Sequence, residues 1–267
     1  MITKPEISVL MSMYNEQSLY LHQSIKSIIN QTFTNFEFII INDSSNKQTS
    51  SILKNYAQKD ARIVLLKNKK NVGLTKSLNI GIKKARGLFI ARMDSDDISL
   101  PHRLTEQISY LKNNHYDIIT SDYAIIDSKG KKTTEKKILL KKDIRKQLIK
   151  GNFLIHSTFF GTKKVFKNLY NTKIKKAQDY EFILRVVGKG FNLGNLPRVS
   201  LLYRINNQSI SLKNPHQQEW FAIKGRLLAI FKYDYKKIYL WYVLRSLLIL
   251  LIPYKVKQLL INKKMPK

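Results

Sequence analysis

The chain has 267 residues, 43% apolar and 10% aromatic, which excludes a disordered polymer and allows one large domain with a small appendage. Lys and Arg number 48 against 18 Asp and Glu, a formal net charge of +30, which favours a polyanionic partner: nucleic acid, an anionic membrane surface or a phosphorylated substrate. Cysteine is absent, so disulfide frameworks and thiolate metal sites are excluded.

The first residues, Met1-Ile2-Thr3-Lys4-Pro5-Glu6, lack the basic region and apolar run of a secretory signal, and the fold is expected to begin almost at once. Residues 7–11 form an apolar, β-branched run that predicts a buried strand. A polar break, Ser12-Met13-Tyr14-Asn15-Glu16, precedes a helix expected over 18–30, where Leu21, Ile25, Ile28 and Ile29 fall at helical spacing. A second strand is predicted over 36–41, ending at Asn42-Asp43-Ser44-Ser45, and a second helix over 49–58. A third strand (62–67), a third helix (74–85, stopped by Gly87) and a fourth strand (88–92) follow, the last running into Met93-Asp94-Ser95-Asp96-Asp97. Alternation of this kind predicts an α/β fold with a mostly parallel central sheet flanked by helices.

Ligands of such sheets bind beyond the carboxyl ends of the strands. Three polar clusters follow predicted strands, around Tyr14 to Glu16, Asp43, and Asp94 to Asp97, and they are expected on one rim. Further along, helices are predicted over 104–111 and 178–187 and a strand over 117–126. Residues 131–150 carry nine Lys/Arg against two acids and read as a loop followed by a helix.

Asp94-Ser95-Asp96-Asp97 is the strongest chemical signal. Carboxylates two residues apart at a strand end suit a hard divalent cation, Mn2+ or Mg2+, that also takes substrate phosphates. An acidic turn or helix cap is the competing reading. Asp43 suits a base or ribose, or simply a turn, and Tyr14 offers a stacking surface. Lys76 and Arg92 are candidate phosphate neighbours among many solvated cations. Asp179 reads as a helix N-cap or as a general base; it and Glu181 are the only acids between Asp143 and Glu219. His156 reads first as a hydrogen-bonded structural histidine, and second as a residue near a phosphate or metal.

Together these residues resemble glycosyltransferase family 2, of the bacterial surface-polysaccharide and lipopolysaccharide type. The resemblance begins at residues 7–16, then runs through Ser24 to Phe33, Phe36 to Asp43, Asn71-Val72-Gly73-Leu74 and Ala91 to Asp97. It continues more thinly through Ile155-His156-Ser157-Thr158, Ala177 to Glu181 and Leu202-Tyr203-Arg204. It implies the GT-A nucleotide-sugar fold and an inverting, metal-dependent transfer from a nucleotide-sugar, a UDP-sugar, to an oligosaccharide or lipid-linked acceptor. In that pattern Asp43, with Tyr14, holds the base. Asp94 and Asp96 form the D-x-D, with Asp96 as the direct metal ligand. Glu16, Ser95, Lys76 and Arg92 join the donor site, and Asp97 sits at the donor sugar. Asp179 is the catalytic base. Asn42 and Gln178 stand where the family often has acids.

The expected organisation is a transferase domain over 1–212, with 1–110 binding the donor and 111–212 the acceptor. A basic, apolar helical extension follows over 213–267. Residues 1–110 carry a net charge of +6 and 111–267 a net of +24. Residues 238–252, interrupted by Arg245, are too short to span a bilayer comfortably. With flanking lysines, Lys255, Lys257, Lys263 and Lys264 among them, they suit an anionic membrane surface; packing on the domain is the alternative. The expectation is a cytoplasmic protein held at the inner face of the membrane. A specific nucleic-acid binder is disfavoured, because the acidic strand end would repel phosphate without a metal. A nucleotidyltransferase would need a Gly-rich basic loop after the first strand, and Met11-Ser12-Met13-Tyr14-Asn15 has none.

Overall fold

The computed structural model describes residues 4–205 and 215–251. The regular half contains β1 (Ile7–Met13), α1 (Ser18–Ile29), β2 (Phe36–Asn42), α2 (Lys47–Lys59), β3 (Ile63–Lys67), α3 (Leu74–Lys84) and β4 (Phe89–Met93). β5 (Ile98–Ser99), α4 (Arg103–Asn113), β6 (Ile118–Ile126), β7 (Lys132–Lys136) and α5 (Ile144–Lys150) follow. Next come β8 (Phe160–Thr162), α6 (Lys163–Phe166), α7 (Gln178–Gly188), β9 (Leu193–Arg204), α8 (Pro215–Lys232) and α9 (Leu240–Leu251).

The strands form one sheet in the order β3-β2-β1-β4-β8-β6-β9-β5, with β7 paired to β6. β1 to β4 are parallel, and so is the β6–β9 pair. The short strands β5, β7 and β8 pair antiparallel, so the mostly parallel expectation holds for the first half and gives way to a mixed sheet beyond it.

Every residue of β1, β2 and β4 is buried, which is why these strands are near-continuous apolar runs. Leu10, Ile39, Ile41 and Ile90 face one core with Leu78 and Ile82 of α3 and Phe182 and Val186 of α7. Val9, Met11, Phe38 and Ile40 face the other with Leu21 and Ile25 of α1 and Leu104 and Ile108 of α4.

The C-terminal helices pack on the domain through part of their surface. Ala222, Ile223, Ala229 and Ile230 of α8 and Val243 of α9 belong to the first core. Arg226 joins three helices: Nε donates to the Tyr180 hydroxyl (3.2 Å), and Nη1 to Glu219 (2.8 Å) and Ser246 (2.8 Å). The exposed Arg145–Asp234 pair is worth at most about 1 kcal/mol, so apolar burial and the Arg226 network hold α8 in place. The other face of α9 leaves Trp241, Leu244 and Leu248 exposed. No helix among the described residues is long and apolar enough to cross a membrane. The flanking Lys255, Lys257, Lys263 and Lys264, with Ile252, lie outside the described residues.

Candidate active site

The carboxyl ends of β1, β2 and β4 open into a cleft of about 1500 Å3. Tyr14, Glu16, Asp43, Asp94, Ser95 and Asp96 line one side of it. Segment 150–156, the start of α7 and the C-terminal helices line the rest. The chain turns sharply at two points on this lining: Asn15 and Ala177 take left-handed backbone angles, with φ of 50° and 51°. Side chains other than glycine enter that region at a cost, and they do so here beside Glu16 and Asp179.

Asp43 is buried, and its carboxylate gathers a loop. Oδ1 accepts from Asn68 Nδ2 (2.8 Å) and the Val72 N–H (2.9 Å), and Oδ2 from the Gly73 N–H (2.8 Å). Gly73, at φ 84°, occupies backbone space open to glycine and is the N-cap of α3. Asp43 thus shapes the rim as well as lining it. Asn42, where the family often has an acid, donates to Ser50 (3.0 Å) and accepts from the Ser44 N–H (2.9 Å), so it braces the same turn.

The acidic strand end divides into two kinds of carboxylate. Asp94 accepts from Arg92 Nη2, and its backbone carbonyl accepts from Ser24 Oγ (2.8 Å). Glu16 reaches back from the β1 turn to Ser95 Oγ (3.4 Å). Asp96 faces the cleft between them. Burial pushes the Asp96 carboxyl well above the usual carboxylate range, and the charges of Asp97, Asp94 and Glu16 add to it. Burial also raises Glu16.

Asp97 is different, and here the expectation of a place at the donor sugar is corrected. Its side chain is fully buried and does not line the cleft. Oδ1 accepts from the Arg204 N–H (2.9 Å) and Oδ2 from Ser157 Oγ (2.5 Å), so it ties the strand end to β9 and to residue 157. Lys76 is exposed and off the cleft. Arg92 is also off its lining: it is 1% exposed, bonds Asp94 from behind, and its Nε and Nη1 have no partner.

Asp179 also lines the cleft, from the first turn of α7. Ala177 holds the N-cap position, and the Asp179 carboxylate, two residues on, lines the cleft. Asn152 Nδ2 donates to Oδ2 (3.0 Å) and orients it. Burial raises the Asp179 pKa above the usual range, partly offset by hydrogen bonds from backbone N–H groups and Asn152. Glu181, the neighbouring acid, is buried in an ion pair with Arg185 (2.8 Å) and serves the core. His156 lines the cleft but is buried, with Nε2 against the Tyr170 hydroxyl (2.7 Å). Burial first, and the Arg92 charge second, push its pKa well below the usual histidine value.

Three residues central to this site had no role in the sequence reading: Asn152, Ser157 and Arg204. Arg204 is 1% exposed and donates to the Asp96 carbonyl (2.8 Å) and Gln23 (2.7 Å), with its guanidinium over the Tyr20 ring at 4.3 Å. The Leu202-Tyr203-Arg204 motif was the signal for it.

The parallel half of the sheet runs β3-β2-β1-β4, with a carboxylate cluster at its strand ends and Asp179 on the lining of the same cleft. The profile of Glycosyl transferase family 2 matches residues 8–170, and the chain belongs to that family. It is 37% identical over 224 residues to an uncharacterised glycosyltransferase of Methanocaldococcus jannaschii, covering 82% of this chain and 77% of the relative. It is 30% identical over 269 residues to the amylovoran biosynthesis glycosyltransferase AmsE of Erwinia amylovora, covering 96% and 98%. Among solved structures, S. aureus TarS 1–349 in complex with UDP-GlcNAc superposes with a TM-score of 0.71 at 18% identity, over 91% of this chain and 71% of that one; the likeness is one of fold.

Proposed function

We propose that this glycosyltransferase inverts the anomeric carbon of a UDP-sugar while moving the sugar to a hydroxyl of a surface-polysaccharide acceptor carried on lipid. The observation that carries the reading is Asp179: it lines the same cleft as Asp94 and Asp96, near enough to Asp94 to feel its charge, and Asn152 orients it. In this arrangement Asp179 accepts the proton of the acceptor hydroxyl, and that oxygen attacks the anomeric carbon from the face away from the nucleotide. The bond to the UDP oxygen breaks, and UDP leaves. Tyr14 and the loop gathered by Asp43 support the base.

The residues present fit a divalent cation. Among the described residues no three His, Asp or Glu side chains cage an ion by themselves. Asp96 and Asp94 offer hard oxygens, and positive charge would offset the burial and the neighbouring carboxylates that raise Asp96. One or two carboxylates completed by substrate phosphates is the usual Mg2+ or Mn2+ arrangement. Asp96, with Asp94 beside it, would hold the ion, which when bound offsets charge developing on the leaving diphosphate.

In this reading residues 1–110 serve the donor, 111–212 the acceptor, and 213–267 an anionic membrane surface at the cytoplasmic face. The exposed Trp241, Leu244 and Leu248 support the last assignment, since such a face suits the headgroup boundary. UDP release measured with Mn2+ over a panel of UDP-sugars, with and without anionic vesicles at low salt, tests both parts. Turnover of one donor and cosedimentation with the vesicles are expected. No UDP release from any donor would sink the reaction assignment, and a protein left in the supernatant would sink the membrane assignment alone.

A further inference from the structure

His156 lines the cleft, yet the transfer proposed above gives it no part. Its ring is held firmly. It opens a short buried turn, His156–Thr158, that is tied down on both sides. Ser157 Oγ donates to Asp97 (2.5 Å), Thr158 Oγ1 bonds Thr120 Oγ1 (2.6 Å), and the Thr158 carbonyl accepts from Gln107 Nε2 (2.8 Å). The rings of Phe159 and Tyr170 meet the imidazole edge-on, with centroids 5.4 and 5.3 Å away. Tyr170 is clamped in turn: Asn79 Oδ1 accepts from its backbone N–H and Asn79 Nδ2 donates to its carbonyl, both at 2.8 Å. A side chain fixed in this way loses little freedom when a ligand meets it.

The same contacts fix where the ring proton lies. Burial and then the Arg92 charge lower the His156 pKa well below the usual value, so the ring carries one proton at neutral pH. Burial pushes the Tyr170 hydroxyl up, so it keeps its proton. Nε2 and that hydroxyl are 2.7 Å apart, and the hydroxyl has no other partner among the described residues. If Nε2 held the ring proton, the buried phenol O–H would be left without an acceptor, which is costly. The O–H therefore donates to Nε2, and the ring proton lies on Nδ1. Nδ1 has no partner among the described residues and is not sealed from solvent, so its N–H opens to the cleft.

The pair stands beside the reacting centre. The charges of Asp179 and Asp94 both reach the Tyr170 hydroxyl, and a sugar attacked with Asp179 as base while its diphosphate lies at Asp94 and Asp96 must occupy the space these carboxylates share. A single neutral N–H suits a neutral oxygen, a hydroxyl or an amide carbonyl, better than a phosphate. We infer that His156, through Nδ1–H, donates a hydrogen bond to an oxygen of the sugar being transferred, and that Tyr170 is the positioning residue that keeps the proton on that nitrogen. The inference rests on the UDP-sugar reading with Asp179 as base; it adds a residue that touches the sugar. A site built around such a donor discriminates against sugars that leave it unpaired.

Two measurements on the full chain test this. In NMR of protein labelled with 15N-histidine, at neutral pH and with His156→Phe assigning the signals, the wild-type ring is expected to carry its proton on Nδ1, and Tyr170→Phe to mix the two tautomers. In calorimetry with Mn2+, UDP is expected to bind the wild type and both variants alike. Of UDP-glucose, UDP-galactose and UDP-GlcNAc, the one that binds the wild type most tightly is expected to bind His156→Phe about tenfold more weakly, the worth of one hydrogen bond, and Tyr170→Phe by a smaller factor. Phe keeps an aromatic ring between Phe159 and Tyr170, and unchanged UDP affinity reports an intact fold; should His156→Phe not fold, the wild-type spectrum and Tyr170→Phe carry the test. A wild-type proton on Nε2, or sugar nucleotides bound as tightly by both variants as by the wild type, overturns the contact. Equal weakening of UDP itself places the contact on the nucleotide and also overturns it. No UDP binding by the wild type is seen separately: it takes down the donor assignment, and the sugar contact with it.

Discussion

Asp179→Asn is expected to lower kcat by about 10²- to 10⁴-fold, the usual worth of a general base, while UDP affinity stays within error. The substitution keeps the size and the hydrogen-bonding capacity toward Asn152, so a loss reports proton acceptance and not collapse of the α7 start. The pH profile supplies an independent check. Burial raises the Asp179 pKa, so the carboxylate is protonated further up the scale than a solvent-exposed Asp. Activity that needs the ionised form therefore rises with pH through that elevated value. In the wild type the acid limb of kcat/KM is expected above the usual carboxylate range. Asn152→Ala removes one stabilising hydrogen bond to the ionised form and should move the limb further up. An Asp179→Asn enzyme with full turnover would remove this residue as the base.

Asp96→Asn separates stability from activity in opposite directions. The Asp96 carboxylate is crowded by Asp94, Asp97 and Glu16 in a partly buried pocket, and the neutral amide relieves that repulsion. The metal-free variant is expected to be more stable than the wild type by about 1 kcal/mol, read from a denaturant midpoint. Its cation-dependent turnover is expected to fall about a hundredfold or more, because an amide is a weaker ligand for a hard cation and leaves the diphosphate charge less well offset. The midpoint of the wild type should rise on adding Mn2+ with UDP, and the variant should lose most of that rise. Lower stability without metal, together with undiminished turnover, would show that Asp96 serves structure and not the cation.

The parallel half of the sheet was legible because its signals are local. Fully buried strands read as runs such as Phe36-Glu37-Phe38-Ile39-Ile40-Ile41, and helices such as α3 show their apolar spacing directly. The second half depends on partners far away in sequence. β5 has two residues and β8 three, too short for any periodicity. β7 reads Lys-Thr-Thr-Glu-Lys, fully exposed, and is a strand only because it pairs with β6. β9 contains Pro197 and Arg198, where its register against β6 shifts.

The site follows the same division. Strand-end polar clusters announced Glu16, Asp43, Asp94 and Asp96 on one rim, because parallel strands must deliver their ends together. Which acid of a cluster faces solvent is not local information. Asp96 and Asp97 are adjacent, yet one lines the cleft and the other is held by Ser157 and the Arg204 backbone, residues 60 and 107 positions away. Lys76 was read as a phosphate neighbour from its place on the third helix, and α3 leaves it exposed. The excess charge, which at first suggested any polyanion, resolves in part into Lys150, Lys175, Lys176 and Arg245 on the lining of the cleft.

The most direct test of the central claim is the anomeric configuration of the product. The proposed reaction, with Asp179 as base, is a single displacement, and a single displacement inverts the sugar. Proton NMR of the product formed from an α-linked UDP-sugar is expected to show the β anomer from the first turnover. An α-linked product would contradict the account.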